Sequence, residues 1–115
     1  MKYLFLLWQD PSKAPAMGTP ESNAEFGAYN AFYEEVAGAG IIQGGDPVQP
    51  SETSQTVRVR NGSTETAKGS ATSGAEQLIG YYVLDCKDET DAAGWAAKIP
   101  AAARGSVEVR PILVM

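Results

Sequence analysis

Three apolar runs limit what this chain can fold into: Tyr3-Leu4-Phe5-Leu6-Leu7-Trp8, Tyr81-Tyr82-Val83-Leu84 and Ile112-Leu113-Val114-Met115. Each is too short for a comfortable helix and carries aromatic or β-branched residues, so each reads as a strand. A half-buried strand alternates apolar and polar residues, whereas these are apolar at successive positions and call for cover on both faces. A chain of 115 residues forms one domain, 1–115, with enough helix to cover one side of a sheet. The other side would be left as a large greasy patch, which monomers rarely carry. A second copy stacked face to face on a two-fold axis is the simplest cover, so a homodimer is expected.

The remaining elements follow from punctuation. Asp10-Pro11 stops the first run, and Ser12 to Gly18 reads as a loop. Thr19-Pro20-Glu21 supplies an N-cap, a first-turn proline and an acid; Phe26, Tyr29, Tyr33 and Val36 then recur at helical spacing. Gly38 and Gly40 end that helix. Ile41-Ile42 opens a strand that breaks or bulges at Gly44-Gly45-Asp46-Pro47. Thr56-Val57-Arg58-Val59-Arg60 alternates, Asn61-Gly62 signals a hairpin, and Ser63 to Ala67 returns. Lys68 to Ala75, rich in Gly, Ser, Thr and Ala, reads as a mobile surface loop. After the second apolar run, Asp88 or Thr90 caps a helix with Ala92, Trp95, Ala96 and Ile99 on one face; Pro100 stops it, Gly105 turns the chain, and Val107 to Val114 is the last strand. The order β-α-β-β-(β)-β-α-β predicts an α+β, ferredoxin-like fold with an antiparallel sheet.

Composition excludes several roles. The net charge of −5, with only Arg58 and Arg60 as a basic pair, argues against nucleic acid. The apolar start at Met1 to Trp8 is too short for a signal peptide and lacks a small-residue cleavage site, and no segment approaches membrane-spanning length. No membrane association is expected. The single cysteine, Cys86, ends an apolar run and reads as a small buried hydrophobe; an unpaired thiol fits a reducing, cytoplasmic setting. The chain has no histidine, which removes Ser-His-Asp and Cys-His machinery and the commonest zinc ligand. Asp10, Asp46, Asp85 and Glu108 show no metal-ligand spacing, and no glycine loop precedes a lysine and a helix as phosphate cradles require. Neither a metal nor a cofactor is expected.

Nearly the whole chain resembles the YCII-related (Asp-Gly-Pro-Phe) domain family. The resemblance is carried by Met1-Lys2-Tyr3 and its strand, Ala39-Gly40 into Gly44-Gly45, and Pro50 through Thr56-Val57-Arg58-Val59-Arg60. It continues through Gln77 to Asp85, Trp95-Ala96-Ala97-Lys98-Ile99-Pro100 and Gly105-Ser106-Val107-Glu108-Val109-Arg110-Pro111. It implies a dimeric α+β barrel. Two departures matter: Lys68-Gly69-Ser70-Ala71 stands where the family has Asp-Gly-Pro-Phe, and the histidine paired with an acid in the narrower YCII branch has no counterpart here. The family's occurrence beside or fused to alternative sigma factors implies an alternative reading, a non-enzymatic regulatory or interaction protein.

No catalytic residue stands out, so the expectation is a small-molecule-binding protein with an anionic ligand in the barrel interior or an adjacent cleft. Arg58 projects opposite Val57 and Val59, and Arg110 shares a strand face with Glu108; either arginine suits a carboxylate, and a Glu108–Arg110 structural pair is the plainer alternative. Trp8 and Asp10 end the first strand, where side chains reach a cleft mouth, although Asp10 before Pro11 equally suits a turn. Tyr81 and Tyr82 point to opposite faces, one to the helices and one to the dimer interior. The candidate ligand contacts are Trp8, Asp10, Arg58, Tyr82 and Arg110.

Overall fold

Four antiparallel strands make the central sheet of the computed structural model, which describes residues 1–115. In chain order the strands are β1 (Lys2–Gln9), β2 (Ile42–Pro47), β3 (Gln55–Arg60), β4 (Ser63–Lys68), β5 (Gln77–Asp85) and β6 (Ser106–Pro111). The helices are α1 (Pro20–Gly38), α2 (Glu89–Ala96) and α3 (Ala101–Arg104). The sheet order is β2-β5-β1-β6, the ferredoxin-like arrangement expected of the α+β chain; β3 and β4 form a separate two-stranded arm inserted between β2 and β5.

The register of β1 divides its side chains between two layers. Tyr3, Phe5, Leu7 and Gln9 are buried on the helix side, whereas Leu4, Leu6 and Trp8 lie half-buried on the other. Tyr3 faces Leu84, Phe5 faces Tyr82 and Leu7 faces Gly80, so the helix-side core continues into β5. Val36 and Phe32 of α1 and Ala92, Ala96 and Ile99 around α2 close over it. No helix covers the opposite face, whose central column is Leu4, Leu6 and Trp8 set against Val83, Tyr81 and Leu78.

Local signals decide the ends of the elements. Thr19 Oγ1 accepts from Ser22 N and caps α1; Asp88 accepts from Asp91 N and caps α2. Asn61 and Gly62 both adopt positive φ, 51° and 77°, the geometry of a tight hairpin turn. At Ile42 to Gly44 the β2–β5 register slips, the bulge that the paired glycines foretell. Gly45 is required there: a Cβ would lie 2.7 Å from both Tyr81 O and Tyr82 Cδ1.

The buried stripe of α1 differs from the sequence reading. Ser22, Phe32 and Val36 face the sheet, Tyr29 is half-buried, and Phe26 and Tyr33 stand 59% and 55% exposed. The set 22, 25, 29, 32, 36 has the same helical spacing, rotated by part of a turn, and aromatic residues on both stripes hide the difference from inspection. Pro100 does not end the helical region either: α2 stops earlier, at Ala96, and Pro100 is the N-cap of α3, with no capping side chain. The last strand stops at Pro111, with one further bond from Ile112 N to Lys2 O, and Leu113 to Met115 are exposed.

The molecule is flat, 48 × 43 × 18 Å, with a radius of gyration of 16.1 Å against about 13 Å for a compact domain of this length. Its accessible surface is 7661 Å² against roughly 6,000 Å² for a monomer of this mass. The excess comes from the uncovered sheet face and the free-standing arm. No helix is long and apolar enough to cross a membrane.

Candidate functional site

On the uncovered face one polar network joins two of the candidate residues. Trp8 Nε1 donates to Glu108 Oε1 at 3.2 Å, and Arg110 is ion-paired to the second oxygen of the same carboxylate. The register explains the grouping: Trp8 lies opposite Ser106, Leu6 opposite Glu108 and Leu4 opposite Arg110, so all six share one face. Arg110 is 67% exposed and Glu108 about half as much, so the pair contributes little to stability and remains open to exchange.

Beside Trp8 the face deepens into a concavity of about 630 Å³. One wall is Trp8 and Leu78 from the sheet; the other is the base of the arm, Ser54, Gly69 and Ser70, with Ser51, Thr53, Thr72 and Ser73 nearby. Its shape is fixed by loop bonds. Gly69 N donates to Ser54 O at 2.8 Å and Thr56 Oγ1 donates to Gly69 O at 2.7 Å, while Gly69 holds φ at 103°. Ser51 Oγ donates to Gln77 Oε1 at 2.5 Å, and Ser106 Oγ donates to Glu76 Oε1 at 2.7 Å. The segment after β4 is therefore tied down at Gly69 rather than free from Lys68 onward. Its charged lining residues are Glu52 and Glu76, and it contains no lysine or arginine.

The other candidates lie elsewhere. Arg58 projects from the arm opposite Glu65 in register and makes no ion pair. Asp10 caps a short 3-10 turn at Pro11–Lys13, accepting from Ser12 N at 3.0 Å and Ser12 Oγ at 2.7 Å. Those bonds, the hydroxyl first, hold its carboxyl below the ordinary range. Tyr82 faces the helices, its ring tilted against Phe32 with centroids 5.2 Å apart, and burial pushes its phenol up. Tyr81 takes the open side, where its hydroxyl donates to Asp46 Oδ2 at 3.2 Å. Thus Trp8 and Arg110 are brought together through Glu108, and Asp10, Arg58 and Tyr82 are not.

A second hollow of about 400 Å³ lies between α1 and the β2–β5 edge, walled by Phe26, Tyr29, Tyr33, Ile79 and Tyr82. Gly80 lies in its lining, where a Cβ would come within 3.2 Å of the Asp46 carbonyl oxygen of β2. The Tyr29 hydroxyl is buried without a hydrogen-bond partner; burial, then the charge of Glu25, pushes its pKa to about 12. The Ala101 backbone approaches that hydroxyl and offsets the rise only in part.

Cys86 is buried, and burial followed by the charges of Asp91 and Asp85 raises its thiol, the opposite of what an activated nucleophile needs. No three cysteine, aspartate or glutamate residues are gathered as a metal site would require. Glu108 was the partner that sequence reading treated only as an alternative for Arg110. The hydroxyl wall was missed, although its serines and threonines cluster visibly at 51–56 and 70–73.

Comparison with known proteins extends over the full length of the chain. The family model of the YCII-related domain matches residues 1–115. An uncharacterized protein of Rhizobium meliloti (strain 1021) is 28% identical over 114 residues, covering 97% of this chain and 92% of the relative.

Proposed function

The chain belongs to the YCII-related domain family, and on that premise we propose that it is a small-molecule-binding domain that works as a face-to-face homodimer. The observation that carries the reading is the concavity beside Trp8: aromatic on one side, lined with hydroxyls on the other, and opening onto the uncovered sheet face. Its volume falls within the usual range for small-ligand sites. A second copy stacked on Leu4, Leu6, Tyr81 and Val83 would bury the apolar column and shut the concavity from water.

The lining narrows the ligand. Hydroxyls and the carboxylates Glu52 and Glu76 favour an uncharged molecule rich in hydroxyl or amide groups. An anion would have to draw Arg110 away from Glu108, or meet Arg58 from the arm. Thermal melts with small polyols, amides and carboxylic acids test this. The expected result is a rise in melting temperature with the uncharged classes, absent in Trp8→Ala; no shift with any class overturns the ligand reading.

The interaction-protein reading has one specific observation in its favour. Phe26 and Tyr33 stand exposed on α1 beside the second hollow, an apolar edge suited to a protein partner. An alternative sigma factor would be the partner that the family association suggests. Retention of that partner by wild type and its loss in a Phe26→Ala/Tyr33→Ala variant would favour this reading.

A further inference from the structure

The arm is the least explained part of the fold. No strand ladder joins β3 and β4 to the sheet, and a two-stranded ribbon alone in water is marginal. One of its faces carries Val57 and Val59, 57% and 60% exposed, with Thr66 and Thr64 opposite them in register. β-Branched residues stabilise a ribbon only when something packs on them.

Three observations indicate what packs there. The base of the arm and the open-face residues Trp8 and Leu78 wall one concavity, and the molecule is only 18 Å thick, so the arm leaves beside the uncovered face and runs outward beyond the sheet. Its six-residue strands extend about 20 Å, long enough to reach past the sheet edge to a neighbouring copy. Its charge also opposes that of the body: Arg58, Arg60 and Lys68 against Glu65 give the arm +2, which leaves −7 for the rest of a chain that totals −5. None of the three cations forms an ion pair within the protomer.

We infer that the arm reaches across to a second copy of this chain, lays its Val57–Val59 face on it, and directs Arg58 and Arg60 toward that copy's acidic surface. Arginine side chains are long enough to bend round the edge of a narrow ribbon. The inference rests on the proposed dimer and adds a contact outside the sheet faces. The positive arm of one copy set against the negative body of the other makes their contact salt-dependent.

The test compares wild type, a Val57→Asp/Val59→Asp variant and an Arg58→Glu/Arg60→Glu variant by sedimentation equilibrium at about 50 and about 300 mM salt. Both variants are expected to keep the wild-type melting profile at concentrations where all are monomeric, because the arm lies outside the core. Their dimers are expected to weaken by at least about tenfold, and the charge-reversed pair to lose the wild-type salt dependence. Wild-type dimers accompanied by variants within about twofold would overturn the arm contact and leave the dimer standing. A wild-type monomer would overturn both. Hydrogen exchange reads the same question without mutation: amides of 55–68 are expected to gain protection above the dimerisation concentration, and unchanged exchange would contradict the inference.

Discussion

Trp8 and Glu108, one hundred residues apart in sequence, meet across adjacent strands through a 3.2 Å indole-to-carboxylate hydrogen bond. The same carboxylate holds Arg110, so one acid links two of the polar side chains on the open sheet face. Replacing Glu108 with Leu should therefore change Trp8 fluorescence while costing no more than about 1 kcal/mol, because the ion pair is exposed. Denaturant titration of the variant measures both. A loss beyond about 3 kcal/mol would mark Glu108 as part of the core rather than of the open face.

Gly105 lies where β6 begins against β1, and a Cβ there would stand 2.1 Å from the Trp8 carbonyl oxygen. Backbone must move to admit any side chain. Gly105→Ala is expected to lower stability by more than about 2 kcal/mol and to disturb Trp8 as well, measured by denaturant midpoint and fluorescence. A neutral substitution would contradict the close β1–β6 approach.

Phe5 is fully buried at the centre of the helix-side core. Phe5→Ala should cost about 3–5 kcal/mol, and Leu84→Ala about 2–5 kcal/mol. Equilibrium unfolding checks both. Small losses would mean that the helices pack on the sheet more loosely than their burial indicates.

Asp10 supplies a test with a defined sign. Its carboxyl is held below the ordinary 3.8, chiefly by the Ser12 hydroxyl and then by the Ser12 amide. A carboxyl depressed in the folded state contributes stability above its unfolded pKa and loses that contribution as pH falls through the folded value. Asp10→Ala should thus melt earlier than wild type near neutral pH and converge with it well below 3.8. Ligand response should survive the change, since both carboxylate bonds serve the turn. A difference that grows in acid would contradict this account.

Much of the fold was legible because its signals are local and strong. Thr19-Pro20 starts α1, Asn61-Gly62 makes the hairpin, and the paired glycines at 44 and 45 mark the bulge. The helix face was less legible because aromatic residues occur on two adjacent stripes: Val36 is buried as its spacing implies, but only the docking of α1 decides between Phe26 with Tyr33 and Phe32. The site was legible in part. Strand periodicity puts Glu108 and Arg110 on one face, but only the β1–β6 register adds Trp8. Nothing local in residues 51–56 and 70–73 announces that two separate hydroxyl-rich loops meet, because their contact is made by the return of the arm.

The loop following β4 illustrates the same point at one residue. Lys68, Ser70 and Ala71 should accept polar replacements with little loss, whereas Gly69→Val should destabilise the concavity, because Gly69 combines φ of 103° with bonds to Ser54 and Thr56. Thermal melts of the two sets separate the cases. Equal tolerance would return the whole segment to the status of a free loop.

The central claim is that the face bearing Leu4, Leu6, Trp8, Tyr81 and Val83 is covered by a second copy. Sedimentation velocity of wild type and Leu6→Asp at micromolar concentration tests it most directly. The account predicts a wild-type species of twice the 12.1 kDa protomer mass and a folded monomer for the variant. A wild-type monomer across that range, or a variant that dimerises as tightly as wild type, would contradict it.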